Sequence, residues 1–272
     1  MFMFQVYFTA DLDKELHNKL EEHAQSISIL YDKKAVIALF NSEEEIPAFA
    51  RDYILSINRL DEEVWKYRYL DSFNGIAVTP SVFIYPATKG KLCDSSYKYS
   101  IAINPKDAFG DGTHPTTRMC IQALESITDA LAPQYLSKYS LCDIGTGTGV
   151  IAIVAELLGF GTIDAFDIDP IAIQRAQENA MYNGCTNINF FVSDIAQVGT
   201  SKQYKIVVAN LLSDIVEKNV DAIVSLVQEG GTLIVSGIHE RWAKGIIALI
   251  QKYCTLVDNK TMDQWHCLVF EK

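Results

Sequence analysis

In residues 1–65, the spacing of hydrophobic residues alternates between the pattern typical of β-strands and the pattern typical of α-helices. Phe2–Thr9, Ile27–Tyr31 and Ala35–Phe40 are short runs rich in apolar and β-branched residues, which predicts three strands. A helix is predicted between the first two runs, because apolar side chains recur there every four residues. Those side chains are Leu12, Leu16, Leu20 and Ala24.

A second helix is predicted after the third run. Ser42 stands three residues before Glu45, which is the spacing of a capping box at a helix start. The apolar face of this helix would be formed by Ile46, Phe49, Tyr53 and Ile57. A last strand is expected within Asn58–Tyr69. The order β-α-β-β-α-β predicts a ferredoxin-like α+β domain over residues 1–65.

Residues 66–108 are predicted to be a linker that contains short strands. Glycine and proline interrupt it at Gly75, Pro80, Pro86, Gly90 and Pro105. The β-rich runs between them are Ile76–Val78, Val82–Tyr85 and Tyr99–Ile103.

Residues 109–272 alternate between short apolar runs and helical stretches. The runs are Leu141–Ile144, Thr162–Phe166, Ile188–Val192, Lys205–Ala209 and Thr232–Ser236. Helical spacing fills residues 150–158, 170–183, 213–227 and 240–252. This alternation predicts a doubly wound, Rossmann-like α/β sheet with both faces covered. Thr255–Val257 and Cys267–Phe270 bring the sheet to seven strands, and their short link predicts an antiparallel last strand.

Charge and composition narrow the possible partners. The chain has 272 residues, 49% hydrophobic, with 23 basic and 34 acidic side chains and a formal net charge of −11. The first 90 residues carry 9 basic and 14 acidic groups, so no basic domain or tail stands out. Nucleic acid is therefore disfavoured as a direct partner, whereas a basic protein would be attracted.

The remaining composition predicts a cytoplasmic protein without metal or membrane span. The six cysteines share no short spacing, and the histidines form no H-E-x-x-H pattern. Met1–Thr9 lacks a basic start and leads directly into acidic residues, unlike a signal peptide. The longest apolar run, Val150–Ala155, is far shorter than the ~20 residues that span a bilayer.

The strongest local motif is D-I-G-T-G-T-G, Asp143 to Gly149, which lies between a predicted strand and a predicted helix. Glycine allows the backbone to approach a ligand closely, and the helix start offers free N–H groups. A dinucleotide loop, G-x-G-x-x-G, would need glycine where Val150 stands. The spacing instead resembles the first motif of S-adenosylmethionine-dependent methyltransferases, in which Gly145 and Gly147 would approach the cofactor. Asp143 would then orient the loop or the cofactor amine.

Acidic residues follow the next two strands. Asp167, in F-D-I-D-P, lies 22 residues beyond Gly145, where a carboxylate accepts from ribose hydroxyls. Asp169 precedes Pro170 and is expected to cap the following helix. Asp194, after the third strand, occupies the place where this fold class often contacts adenine.

Two further segments complete the candidate site. Asn210, in V-V-A-N-L-L, ends the fourth strand at the ligand edge of the sheet, and the alternative is that it caps the helix from Ser213. Ala108–Arg118, here called the cover segment, reads A-F-G-D-G-T-H-P-T-T-R and places Thr117 and its neighbours near the cofactor. His114 in this segment is expected to be structural.

The four motifs in this order resemble the PrmA family of bacterial ribosomal protein methyltransferases. The resemblance implies S-adenosyl-L-methionine as cofactor, contacted by Thr117, Gly145, Asp167 and Asn210. It also implies trimethylation of amino groups on the eleventh protein of the large ribosomal subunit, gripped by the N-terminal domain. The chain departs from the family pattern at Asp111, where a small residue is usual, and in G-T-G-T-G, which replaces G-C-G-S-G.

The expected chemistry is methyl transfer to lysine and N-terminal amines by a monomeric enzyme. Asn210 is the expected catalytic residue and would orient the amine or the cofactor, with the proton lost to solvent. His114 and Asp111 are the alternatives for a general base. Three other functions stay open: a methyltransferase for another protein or small amine, a nicotinamide-dependent oxidoreductase, and a ribosome-assembly module without turnover.

Overall fold

The structure is a computed structural model, and it describes the following parts of the chain. The described residues are 2–9, 20, 26–30, 35–40, 42–61, 75–87, 96–104, 110–131, 133–198 and 202–272. They divide into two compact units, Met1–Ser72 and Phe73–Lys272.

The smaller unit is built on a four-stranded antiparallel sheet. Its strands are β1 (Phe2–Thr9), β2 (Ser26–Leu30), β3 (Ala35–Phe40) and β4 (Ile54–Asp61). They pair in the order β2–β3–β1–β4, which places the first and third strands in the centre. Val6, Phe8, Ala38 and Phe40 are fully buried and form much of its core.

The first predicted helix, Leu12 to Ala24, lies outside the described residues except for Leu20. Leu20 is helical and fully buried. The ferredoxin-like assignment of this unit therefore stays a prediction, although the strand order is the one that a split βαβ arrangement requires.

The helix predicted from Ser42 to Ile57 is wrong. Two short 3-10 turns, Glu43–Glu45 and Ala48–Tyr53, occupy this stretch, and the Ser42 side chain makes no capping hydrogen bond. Pro47 separates the turns, since it disfavours a helical conformation of Ile46, which is extended at φ −66° and ψ 117°. The last strand consequently starts at Ile54, earlier than predicted.

The predicted linker is also partly wrong, because much of it belongs to the larger unit. Three strands form a small sheet there, β5 (Ile76–Ala77), β6 (Val82–Pro86) and β7 (Tyr99–Ile103). Val82, Ile84, Ile101 and Ile103 are buried in the same core as strands of the main sheet. Residues 75–87 and 96–104 are thus part of a packed domain.

The main sheet has the predicted seven strands. They are β8 (Ser140–Ile144), β9 (Thr162–Asp167), β10 (Ile188–Val192), β11 (Tyr204–Asn210), β12 (Val227–His239), β13 (Thr255–Met262) and β14 (Trp265–Glu271). Their order is β10–β9–β8–β11–β12–β14–β13. The first five run parallel, and β14 pairs antiparallel with both neighbours, as predicted.

Helices cover both faces of this sheet. They are α1 (Pro115–Asp129), α2 (Pro133–Leu136), α3 (Val150–Leu158), α4 (Pro170–Tyr182), α5 (Ser213–Ser225) and α6 (Glu240–Ile250). Along β11, Ile206 and Val208 enter the core under α1 and α3, whereas Val207 and Ala209 enter the core under α5 and α6. A strand buried on both faces must be continuously apolar, which explains its sequence. The doubly wound fold is confirmed.

No helix in the described ranges is long and apolar enough to cross a bilayer. Cys120, Cys142, Cys185, Cys254 and Cys267 are free thiols and buried. Cys93 lies outside the described residues.

A buried carboxylate ties together the strands that carry the candidate site. Asp164 of β9 is 4% exposed and accepts hydrogen bonds from Tyr204 Oη at 2.5 Å, from Asn189 Nδ2 at 3.1 Å and from Lys202 Nζ. Burial acts to raise the pKa of Asp164, but these three donors outweigh it and the pKa is lowered. The carboxylate thus stays charged and links β9 to β10 and β11.

Tyr204→Phe should therefore lower the free energy of unfolding by about 1–3 kcal/mol, because it removes one donor from a buried charge. Tyr253→Phe is the matched control, since Tyr253 Oη bonds Asp221 Oδ1 at 2.7 Å on the surface. The control should cost less than about 0.5 kcal/mol. Urea unfolding measures both, and equal losses would show that the Asp164 cluster is not a structural link.

Candidate active site

A cavity of about 590 Å³ opens at the edge where the parallel strands of the main sheet end. Five of the six predicted site residues line it: Gly145, Gly147, Asp167, Asp194 and Asn210. The sixth, Thr117, is fully buried directly behind Asn210. The strand register explains this convergence, since Val192 pairs with Asp167 and Ala209 pairs with Ile144.

The glycine loop is held by the neighbouring strand. The N–H groups of Gly145 and Thr146 both donate to the carbonyl of Phe166, at 2.9 and 3.0 Å. Gly145 has φ +67°, and a Cβ there would lie 2.3 Å from Leu211 Cδ2. Gly149 has φ +81°, and its Cβ would lie 2.9 Å from Ala176 Cβ. Glycine is needed at both positions for the left-handed backbone conformation, and at Gly149 also for space, because Ala176 cannot move its Cβ away.

Asp143 is a buried acid beneath this loop. It is 1% exposed, and its Oδ2 accepts from Thr146 Oγ1 at 2.6 Å. Its Oδ1 is buried and makes no hydrogen bond of regular geometry. Burial raises the pKa of Asp143 to about 7; the charge of Asp167 adds to the rise, while the Thr146 hydroxyl and the Ala152 amide oppose it. Asp143 does not line the cavity, so it acts on the glycine loop through Thr146.

Asp167 has a different environment at the tip of β9. Its Oδ2 accepts from Gly147 N at 3.0 Å, and its Oδ1 accepts from Asp169 N at 3.1 Å. A carboxylate offers about four acceptor positions, so each oxygen keeps one for a ligand. Asp169 caps α4 through Ile171 N at 2.8 Å and Pro170 follows it, as expected.

Asp194 and several apolar side chains also line the cavity. Asp194 Oδ1 accepts from Ala196 N at 2.9 Å, which fixes the turn after β10. Phe166, Ile168, Ile195 and Ile215 also line the cavity. Apolar side chains next to one carboxylate suit an aromatic ring that carries an amino group.

Asn210 does not cap the following helix. The N-cap of α5 is Leu212, without a side-chain hydrogen bond. Asn210 Nδ2 instead donates to Thr117 Oγ1 at 3.4 Å, and its Oδ1 is buried without a partner. The contact with Thr117 orients the amide, so its carbonyl oxygen is left as an acceptor beside the cavity.

His114 and Asp111 have structural roles in the cover segment. His114 caps α1: its Nδ1 accepts from Thr116 N at 3.3 Å, so a neutral ring carries its proton on Nε2. Burial lowers the pKa of His114 despite the nearby Asp111 and Asp263 charges, which keeps the ring neutral. Asp111 Oδ1 accepts from the amide and hydroxyl of Thr113, at 2.9 and 2.6 Å. Neither residue is arranged as a general base.

Trp265 is a lining residue that the sequence reasoning missed. Its ring lies edge-on to His114, with centroids 5.2 Å apart, and to His239, at 5.5 Å. Because β14 runs antiparallel, its first residue lies at the edge where the parallel strands end. A tryptophan two residues before the predicted last strand, Cys267–Phe270, was therefore a usable signal.

Among the described residues, no group of three or more histidine, cysteine, aspartate or glutamate side chains could hold a metal ion.

Comparison with known proteins gives a consistent picture. Residues 5–272 match the family model described as ribosomal protein L11 methyltransferase, PrmA. The ribosomal protein L11 methyltransferase of Lactococcus lactis subsp. cremoris (strain MG1363) is 34% identical over 221 residues, 80% of this chain and 67% of that relative. The protein of the same name from Staphylococcus aureus (strain MRSA252) is 28% identical over 251 residues, 86% of this chain and 78% of that one. The crystal structure of ribosomal protein L11 methylase from Lactobacillus delbrueckii subsp. bulgaricus has a TM-score of 0.64 and 25% identity, with 72% of this chain and 97% of that chain covered.

The buried acid gives a prediction for pH-dependent stability. A folded-state pKa of about 7 exceeds the unfolded value of ~3.9, so the contribution of Asp143 is full below about pH 4 and is lost as pH rises through about 7. Asp143→Asn should therefore become more stable than the wild type as pH rises, by roughly 2–3 kcal/mol between about pH 5 and 8.

Thermal or urea unfolding at the two pH values measures this difference. Asp129→Asn, at the exposed end of α1, is the control and should show the same stability change at both. A pH-independent effect of Asp143→Asn would contradict the raised pKa.

Proposed function

This chain belongs to the PrmA family of ribosomal protein L11 methyltransferases, and from that membership we propose that it methylates lysine and N-terminal amino groups of ribosomal protein L11. S-adenosyl-L-methionine is the methyl donor. Up to three methyl groups per amine are proposed, as the family resemblance implies. The observation that carries the proposal is the convergence of Gly145, Asp167 and Asn210, from three strand ends, on one cavity.

The residues of the cavity fit the three parts of this cofactor. The glycine loop suits the amino-acid part, because Gly145 and Gly147 line the cavity and present backbone without a side chain in the way. The free acceptor positions of Asp167 suit the ribose hydroxyls. Ile168, Ile195 and Asp194 suit the adenine ring and its amino group.

The donor supplies a methyl group on a sulfonium, and the leaving group departs neutral. Little new charge has to be stabilised, so the enzyme can act mainly by holding the amine in line, an effect worth up to ~7–11 kcal/mol. Asn210 is proposed to orient the amine, with Thr117 fixing its amide and Oδ1 accepting an amine N–H.

The proton of the amine is proposed to leave to water. A lysine ammonium has a pKa of ~10.4 and must lose a proton before it can attack. Nδ1 of His114 accepts a backbone N–H, so the proton of the neutral ring is on Nε2, and neither nitrogen is left to accept a proton. Asp111 accepts a hydrogen bond from the backbone N–H of Thr113 within a turn. Trp265 adds an aromatic wall that lowers the polarity around the amine and favours its neutral form.

The acceptor is proposed to be a basic protein recognised through the N-terminal unit. The acidic net charge of −11 supports a basic partner and disfavours direct contact with nucleic acid. We also propose that the enzyme acts as a monomer in the cytoplasm. A nicotinamide cofactor is disfavoured, since Val150, where a dinucleotide loop needs glycine, begins α3 and is 2% exposed.

Asp167→Asn should weaken binding of S-adenosyl-L-methionine by about 10- to 100-fold, because charge-assisted bonds to ribose are worth ~1.5–3 kcal/mol each. Calorimetry with the isolated protein measures this affinity. Asp258→Asn, on the exposed strand β13, is the charge-matched control and should bind like the wild type. Equal affinity of Asp167→Asn and wild type would remove the ribose role.

The acceptor is tested with methyl-labelled cofactor and purified ribosomal protein L11. Label should enter L11, at lysine and at the N-terminal amine as read by mass spectrometry. Asn210→Ala should lower kcat by at least about 100-fold, the cost of a misplaced reacting group, with cofactor affinity changed much less. Labelling of a different protein from a cell extract, with L11 unlabelled, would replace the proposed acceptor; full turnover of Asn210→Ala would end its catalytic role.

A further inference from the structure

We propose that Asn179 of α4 is a positioning residue that sets the glycine loop and the cover segment relative to each other. It does not line the cavity, so its effect on methyl transfer is indirect. The proposal rests on the assignment of the glycine loop to S-adenosyl-L-methionine. The structure supports it through hydrogen bonds that link Asn104 to Asn179, Asn179 to Thr148 and Thr148 to Gly110. Together with the chain from Asn104 to Gly110, these bonds close a ring.

The Asn179 amide is fully buried and uses both its groups. Its Oδ1 accepts from Asn104 N at 2.9 Å. Its Nδ2 donates to the carbonyl of Thr148 at 2.9 Å and to the carbonyl of Asn104 at 3.3 Å. One side chain thus contacts the backbone of the glycine loop and the backbone that follows β7.

Thr148 completes the ring from inside the glycine loop. It is fully buried, and its Oγ1 donates to the carbonyl of Gly110 at 2.6 Å. Asn104 and Gly110 flank residues 105–109, which lie outside the described residues. Both flanks are therefore anchored on the same pair, Asn179 and Thr148.

The anchored flank leads directly to the site. Gly110 is followed by the Asp111–Thr113 turn, by the His114 cap and then by α1, whose first turn carries Thr117. Thr117 orients the Asn210 amide. A shift of Gly110 would consequently displace Thr117 and, through it, the Asn210 side chain that is proposed to orient the substrate amine.

Close packing makes the ring stiff. Ala176 lies one turn before Asn179 on the same face of α4, and it approaches Gly149 so closely that a Cβ on Gly149 would be 2.9 Å from Ala176 Cβ. Helix and loop are thus in direct contact beside the hydrogen bonds. A buried amide lost at this point leaves the Asn104 N–H and the Thr148 carbonyl without partners, and neither can turn to solvent.

Asn183, the residue directly after α4, provides a matched comparison one turn later. Its Nδ2 donates to the carbonyl of Ala102 and its Oδ1 accepts from Ala102 N, both at 2.8 Å. It docks β7 on the helix in the same manner as Asn179 does at Asn104. Its Nδ2 also donates to the backbone carbonyl of Asn179 at 2.7 Å, a bond that Asn179→Ala would keep. It makes no hydrogen bond to the glycine loop, so Asn183→Ala reports the cost of losing the docking of β7 and this helix-end bond.

The test compares Asn179→Ala with Asn183→Ala by unfolding temperature, calorimetric affinity for S-adenosyl-L-methionine and kcat with the acceptor protein. Both variants should unfold at lower temperature. Asn179→Ala should also bind the cofactor at least about tenfold more weakly, since small displacements at a reactive site cost large factors. Asn183→Ala should bind within about twofold of the wild type, because none of the Asn183 hydrogen bonds reaches the glycine loop or Gly110.

Thr148→Val tests the ring from its other end and keeps the side-chain volume. It should lower kcat more than it raises the cofactor dissociation constant, because it frees Gly110 but leaves the bond from Asn179 to the loop. The double variant should lose less than the two single losses combined, as expected for members of one network. This variant also decides the matter if Asn179→Ala does not fold.

Each outcome has a distinct meaning. Equal affinity of Asn179→Ala and Asn183→Ala, or strict additivity with Thr148→Val, would overturn the positioning role while leaving the methyltransferase assignment intact. A wild-type protein that binds no S-adenosyl-L-methionine would overturn both.

Discussion

Parallel strands in one register end side by side, and the candidate site depends on this constraint. Ile144, Phe166 and Ala209 lie in line across β8, β9 and β11, so the residues that follow them share one edge. The carbonyl of Phe166 then accepts two N–H groups of the glycine loop, which ties the loop to the strand that ends in Asp167. The glycine loop and Asp167 are therefore positioned by the same backbone.

Two buried aspartates show how the sheet separates stability from function. Asp164 has three donors and a lowered pKa, and it links strands away from the cavity. Asp143 has one regular hydrogen bond and a pKa raised to about 7 by burial. An under-satisfied acid costs folding free energy, and such a cost is common where a site must receive a ligand. The apolar core on both faces of the sheet offsets it.

Sequence reasoning succeeded where local pattern decides structure. The apolar runs of the main sheet are buried on both faces, so their pattern is strong, and β10 and α3 begin and end at the predicted residues. The predicted helix from Ser42 to Ile57 was wrong, because the prediction relied on the capping-box spacing and overlooked the helix-breaking effect of Pro47. Sequence reasoning also missed the role of β6 and β7, since a short apolar strand does not reveal which core it joins. Trp265 reaches the cavity only through the pairing of β12 with β14, which is a long-range contact.

The polar groups around the cavity are largely engaged with backbone amides. Asp167 holds Gly147, Asp194 holds Ala196, and His114 holds Thr116. Among the described residues that line the cavity, the buried side-chain oxygen without a hydrogen-bond partner is Oδ1 of Asn210. A reaction that required acid–base catalysis would need a titratable group free to exchange its proton. Methyl transfer from a sulfonium needs mainly fixed geometry, and a site whose side chains rigidify its own loops provides that.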